Sequence, residues 1–171
     1  MTIMSDTPVG GDQTIPVSAL LLGLGGLIPF FGLTAVQIFA QDDVTRERAV
    51  TALVFYAATI LSFLGGIGWG LAMRERDPVQ RGLSFGVSIV PALIAWAAAF
   101  INVQNLSFSL GVLGAAFLVQ WVWDAHLVRS ERAPRWFGAL RLGLTLAVLL
   151  ALTATWLWRP ALEGIGGGFS L

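Results

Sequence analysis

Cysteine and lysine are absent from this chain of 171 residues, and histidine occurs once. Without cysteine there is no disulfide, no thiolate metal site and no cysteine nucleophile. A single histidine by itself builds neither a zinc site nor a bis-histidine haem site. Charge is scarce too. Charged residues make up 12% of the chain, against roughly 25% in a soluble domain. Ten Arg balance six Asp and four Glu, so the net charge is zero and no basic face points to nucleic acid. With Ala and Gly abundant, cations that are all Arg read as the composition bias of a GC-rich bacterial genome rather than as chemistry.

What is present is apolar surface. Hydrophobic residues are 56% of the chain and mean hydropathy is +0.79. Too little polar surface exists to cover a globule, so the chain is read as an integral membrane protein. Residues 13–41, 49–73, 82–123 and 142–158 carry no charge. About 20 apolar residues in a helix cross the roughly 30 Å hydrocarbon core. The first two runs each hold one span. The third run, of 42 residues, holds two, broken at Asn102-Val103-Gln104-Asn105. The fourth run is short, but Pro134 suits a helix start and Arg141 can extend its head to the interface.

The predicted fold is therefore all-α, a polytopic membrane bundle of five transmembrane helices at about 16–39, 49–73, 80–101, 106–124 and 135–158. Residues 1–15 form a polar N-terminal tail, 16–159 the transmembrane domain and 160–171 a Gly-rich C-terminal tail. The acidic residues 1–14 lack the positive start of a signal peptide, so no cleavage is expected. Asp42 and Asp43 suit the start of the second helix, and Arg74 and Arg76 its end. Asp77-Pro78 reads as the start of the third helix, and Arg159-Pro160 closes the fifth. Arg74, Arg76, Arg81, Arg129, Arg132, Arg135 and Arg141 fall on one side, with Arg46, Arg48 and Arg159 on the other. Seven against three places the N-terminus in the cytoplasm of a bacterial inner (plasma) membrane.

Membrane helices associate through small residues. Stripes of them run along Ala58, Ser62, Gly66 and Gly70 in the second helix and Ala139, Gly143, Ala147, Ala151 and Thr155 in the fifth. Ser107, Gly111 and Ala115 mark the fourth, Ser84, Ser88 and Ala92 the third, and Ala19, Gly23 and Gly26 the first. Each stripe is expected to face a neighbouring helix. Pro29 and Pro91 lie within helices and cannot donate to the Gly25 and Val87 carbonyls. Such breaks can expose carbonyls to an ion or substrate, although an ordinary kink accounts for both. No internal repeat survives, because the matching motifs differ in spacing.

The predicted span interiors hold no Asp, Glu, Lys, Arg or His, which argues against a proton-coupled pump. Only Tyr56 could titrate there, and near pH 10 unperturbed it does not. The best polar constellation is Gln120, Trp121, Trp123, Asp124 and His126. An anion near a helix C-terminus is poorly placed, so Asp124 needs a partner, Arg141 or Arg129, in a bridge fixing the last loop to the bundle. His126 offers a ring nitrogen to metal or haem, but a lone interfacial histidine more often sits at the headgroups. Two residues apart on a helix, Asp124 and His126 point about 200° from each other and do not share a ligand. Trp69, Trp121, Trp123, Trp136, Trp156 and Trp158 fall near span ends as an aromatic belt, with Trp96 deeper. The segment from Arg129 to Arg141, with Trp136 and Phe137, suits the surface of an anionic leaflet.

Gly26-Leu27-Ile28-Pro29-Phe30, Tyr56 with Ser62-Phe63-Leu64-Gly65-Gly66-Ile67-Gly68-Trp69-Gly70, and Ser88-Ile89-Val90-Pro91-Ala92-Leu93-Ile94-Ala95-Trp96 together resemble the domain of unknown function 3429 family. The likeness runs over about residues 18–158, and the Phe-Leu-Gly-Gly-Ile-x-Trp-Gly stretch is its most specific part. It implies a small multi-pass inner-membrane protein of alphaproteobacterial or mitochondrial type, and it brings no reaction. No nucleophile–base pair, metal cluster or carboxylate pair appears, so no enzyme activity, catalytic or metal-binding residue or cofactor is expected. The leading expectation is a non-enzymatic accessory or assembly partner of another inner-membrane complex, resting on the small-residue faces and the absence of a buried charge. The alternative is a protein that binds or transports an apolar or tetrapyrrole-like ligand, with Trp96 and Pro29 as its test positions. The lipid bilayer is the one certain partner, and no nucleic acid is expected.

Overall fold

The computed structural model of the protein describes residues 14–101 and 105–158. Residues 1–13 of the expected N-terminal tail, the C-terminal tail, Arg159-Pro160 and positions 102–104 of the predicted turn lie outside the described residues. Among those described, every element is α-helical: α1 (Val17–Gly25), α2 (Ile28–Phe39), α3 (Asp43–Ala72), α4 (Pro78–Ile101), α5 (Leu106–Arg129) and α6 (Arg135–Leu157). Taking α1 and α2 as one broken span, five stretches are long and apolar enough to cross a membrane. The five-helix expectation holds.

Helix limits follow caps rather than charge. The uncharged run places the start of the second span at residue 49, yet α3 begins at Asp43 because the Asp42 carboxylate accepts the Thr45 N–H at 2.8 Å. An uncharged run marks the hydrocarbon, whereas a cap marks where the backbone becomes helical. At 30 residues α3 is about 45 Å long, so its charged first turns stand outside the core. Asn105 caps α5 by accepting the Phe108 N–H at 3.0 Å, and Asp77 accepts from Val79 at the head of α4. α5 continues past the expected residue 124 to Arg129. It ends where Glu131 takes a φ of 59° and Arg132 N–H returns to the Leu127 carbonyl.

α3 is the organising helix. Its Leu53, Val54, Ala57 and Leu61 are fully buried against Phe30 of α2, Ala95 and Ala98 of α4, Leu113 and Phe117 of α5, and Ala151 of α6. Every helix carries large apolar side chains on the exterior, while Thr34, Gln37, Ser109, Gln120, Asp124, Arg141 and Thr155 are buried. Lipid imposes that inversion, since an apolar side chain loses nothing by facing hydrocarbon and a polar one must find a partner. Ser109 Oγ accordingly donates to the Ala98 carbonyl at 2.7 Å between α5 and α4. Between α2 and α6, the Thr34 and Thr155 hydroxyls share a hydrogen bond of 3.1 Å and Gln37 Nε2 donates to the Thr155 carbonyl at the same distance. At one end of the bundle, Arg132 and Glu75 pair at 3.1 Å and tie the α5–α6 connection to the α3–α4 connection.

The small-residue stripes are only partly where expected. Ser88 and Gly23 do meet neighbours, but Gly66, Gly70, Gly111 and Gly143 face open space. In α3 the contact face lies one residue earlier. A Cβ on Gly65 would come within 2.5 Å of the Ser88 carbonyl oxygen of α4 and 3.5 Å of the Pro91 ring. The reason is packing volume: Leu61, Leu64 and Gly65 together set the buried face of α3, and an i, i+4 pattern of small residues does not by itself say which face is buried.

Candidate functional site

α1 and α2 part at Gly26-Leu27, as the Gly-Leu-Gly-Gly-Leu-Ile-Pro run allows. Both residues keep right-handed helical angles, so the chain tightens there rather than unwinding. Leu27 N–H bonds the Leu24 carbonyl, and Tyr56 Oη donates to the Gly26 carbonyl at 2.9 Å. A neighbouring helix thus supplies a donor to the Gly26 carbonyl at the break. The bend has a consequence for α1, which has no fully buried residue and leans on α6, where Gly23 lies against Leu140 and Leu144. Between α1 and the rest of the bundle opens a cavity of about 470 Å³.

The walls of this cavity are mainly aliphatic, with Phe30, Phe63, Phe117, Trp136 and Phe137 among them, and Arg141 and Thr145 on one side. That volume falls in the roughly 300–1,000 Å³ range of small-molecule sites. Arg141 and Thr145 are one turn apart on α6, so both side chains share its inner face. Arg141 is 6% exposed and Thr145 2%. Arg141 Nε donates to Asp124 Oδ2 at 2.7 Å, and Gln120 Nε2 donates to Asp124 Oδ1 at 2.9 Å. Arg141 Nη2 and Thr145 Oγ1 have no hydrogen-bond partner. Buried polar atoms are satisfied in the great majority of cases, and these two share that exception with Gln37 Oε1 among the described residues. A second hollow of equal volume between α3, α4 and α5 holds no unpaired buried polar atom among the described residues.

Of the residues expected to gather around Asp124, the structure joins Gln120 and Arg141 to it and separates the others. His126 is exposed and packs on Trp123, with ring centres 5.5 Å apart, so it shares nothing with buried Asp124. Arg129 plays no part in the pair. The expectation that no charge is buried is overturned by Asp124 and Arg141, at 3% and 6% exposure. The discrepancy arises because uncharged runs are not complete spans: α5 and α6 continue past them and close a neutral pair between helices. Of the segment from Arg129 to Arg141, the turn between the helices is mostly exposed, Trp136 and Phe137 line the cavity, and Arg141 is buried. Trp96 is 70% exposed and stacks on Phe100 on the outer surface, so it lines neither hollow. Pro29 stands at the second position of α2, and Pro91 packs where α4 crosses Gly65.

Sequence reasoning misses Thr145, as it does the buried Thr34 and Gln37. The signal for Thr145 lies in the spacing Arg141, Thr145, Val148, Leu152, Thr155, which is one helical face. Among the described residues no three His, Asp or Glu side chains come together.

A sequence model described as a protein of unknown function, DUF3429, matches residues 15–157. The chain is similar to Transmembrane protein 69 of Xenopus tropicalis, with 35% identity over 143 residues, which is 82% of this chain and 54% of that protein. Transmembrane protein 69 of Mus musculus is 29% identical over 142 residues, again 82% of this chain and 56% of the other. The chain therefore spans about half the length of the relatives it matches. No solved structure matches it.

Proposed function

This chain belongs to the DUF3429 family, whose function is unknown, and from that premise we propose that it works by holding a ligand within the bilayer rather than by catalysis. It is a multi-pass membrane protein. The observation that carries the reading is an apolar cavity of ligand size between α1 and the rest of the bundle, with the buried polar residues Arg141 and Thr145 in its lining. An apolar body fills such a space. The break at Gly26-Leu27 serves this by swinging α1 clear of α3 and leaving α1 as the lightly packed wall through which a ligand enters from lipid.

The experiment is extraction and mass spectrometry of small molecules retained by the purified full chain, compared with Ala19→Phe, which fills the cavity from α1. One apolar compound per chain, lost in the variant, is the expected result. Equal retention by both proteins, or none by either, overturns the reading.

A second reading, as an accessory partner of another inner-membrane complex, is favoured by Gly66, Gly111 and Gly143, which face outward with nothing against them. Glycine on a lipid-facing surface permits close approach of another helix. Affinity purification in mild detergent tests it: a stoichiometric complex supports the accessory role, and a lone chain under conditions that preserve other complexes opposes it. A bacterial inner-membrane location with a cytoplasmic N-terminus belongs to the same proposal, supported by the seven-to-three distribution of arginine.

A further inference from the structure

A crevice between α3, α4 and α5 runs from one end of the bundle toward its middle, and its two parts differ in character. The outer part, of about 320 Å³, has Arg74, Glu75, Arg76, Ser84 and Arg132 in its lining. The inner part is the hollow of about 470 Å³ already described, mainly apolar, where Gly65, Ala115 and Ala116 leave room between the helices. Gly68 and Trp123 line both parts, so the two are continuous. This crevice shares no wall residue with the cavity behind α1, and the inference does not depend on that cavity.

Charge is unevenly engaged at the outer part. Glu75, the acid of that lining, is occupied: Oε2 pairs with Arg132 at 3.1 Å, and Oε1 accepts from the backbone N–H groups of Arg76 and Asp77. Asp77 lies outside the lining and caps α4. The side chains of Arg74 and Arg76 are exposed, and among the described residues neither has a hydrogen bond or ion pair. Arg81 stands nearby, with Nη1 at 3.5 Å from the Glu75 carbonyl. The mouth of the crevice thus offers accessible positive charge to an anion.

The length of the inner part suits a lipid tail. Along α5 it runs from Trp123 back to Val112, eleven residues or about 16 Å. Half of the roughly 30 Å hydrocarbon core is about 15 Å. Trp123 stands at the junction, as aromatic rings do where headgroups meet hydrocarbon. We infer that the crevice is a site for an anionic phospholipid, its phosphate held by Arg74 and Arg76 and one acyl chain lying in the groove between α4 and α5. Guanidinium groups bond phosphate oxygens in a fork, and basic pockets between membrane helices recognise anionic headgroups. A zwitterionic lipid brings a cation of its own, which the arginines repel.

Native mass spectrometry of the full chain in detergent tests this with phosphatidylglycerol and phosphatidylcholine of identical acyl chains. One phosphatidylglycerol per chain, retained in preference to phosphatidylcholine, is the expected result. Arg74→Gln combined with Arg76→Gln should weaken phosphatidylglycerol binding about 10–30-fold and leave phosphatidylcholine unchanged. Both positions are exposed, so the fold survives the change. Ala115→Trp fills the groove from an exposed position, keeps both arginines and should abolish the preference. Glycerol phosphate, a headgroup without tails, should not be retained. Equal retention of the two lipids, a preference that survives either variant, or glycerol phosphate bound as tightly as the lipid overturns the inference. Ala19→Phe, which fills the other cavity, should leave phosphatidylglycerol binding as it is, so the two readings fail separately.

Discussion

Arg141 of α6 and Asp124 of α5 meet at 2.7 Å with both side chains withdrawn from the surface, at 7% and 4% exposure. The pair joins the two helices within two turns of the connection between them, beside the cavity that Arg141 helps to line. Truncating either partner leaves the other charged, buried and alone. Arg141→Ala or Asp124→Ala is expected to destabilise the bundle by about 3–5 kcal/mol, whereas the double change Arg141→Leu with Asp124→Leu should fall close to the parent. Thermal unfolding in detergent measures this, and equal losses in single and double variants would refute it.

Gly65 packs directly against the backbone of α4 at Ser88. Because its Cβ position lies 2.5 Å from a backbone oxygen, Gly65→Ala must push the helices apart. A cost of about 1–3 kcal/mol is expected. Gly66→Ala, one residue on and facing outward, should be neutral or stabilise by up to about 1 kcal/mol through helix propensity. The unfolding midpoint should fall in Gly65→Ala and stay level or rise in Gly66→Ala.

Tyr56 is the external donor to the break in the first span. Tyr56→Phe removes one hydrogen bond to Gly26, worth about 0.6 kcal/mol among membrane helices. The sharper readout is local: amide hydrogen exchange should quicken in α1 and hardly change in α6.

Glu131 holds a φ of 59° at the end of α5, a conformation that costs a residue with a Cβ roughly 1–2 kcal/mol. Glycine accepts it without strain and is the usual residue there. Glu131→Gly should therefore stabilise the protein, by about 1 kcal/mol, and an unchanged or lower unfolding midpoint would contradict the assigned geometry.

Asp42 caps α3 from outside the membrane. The Thr45 backbone N–H holds its carboxyl below the ordinary value of 3.8, helped by the Thr45 side chain and Arg46. A depressed folded pKa means that the cap's contribution is fully present above the unfolded value of about 3.9 and is lost as pH falls through the folded one. Asp42→Asn keeps a capping oxygen that does not titrate. Acid titration of helicity should show a step below pH 4 in the parent that is smaller in the variant.

Membrane residence, five crossings and the pairing of Asp124 with Arg141 are legible in the residues themselves. Twenty uncharged apolar positions can only lie in hydrocarbon, and an acid at a helix C-terminus needs a cation. The depth of that pair is not legible, because charge-free runs report where lipid begins and not where helices end. Nor is the choice of buried face in α3 and α5, where small residues occur on both sides and large ones decide the packing. The cavity is farther still from view. It exists because α1 bends away at Gly26-Leu27 and rests on Leu140 and Leu144, a relation between segments more than a hundred residues apart. Composition and periodicity settle how each helix meets lipid. Which donors are left without an acceptor depends on how the helices meet one another, and only the tertiary structure decides that.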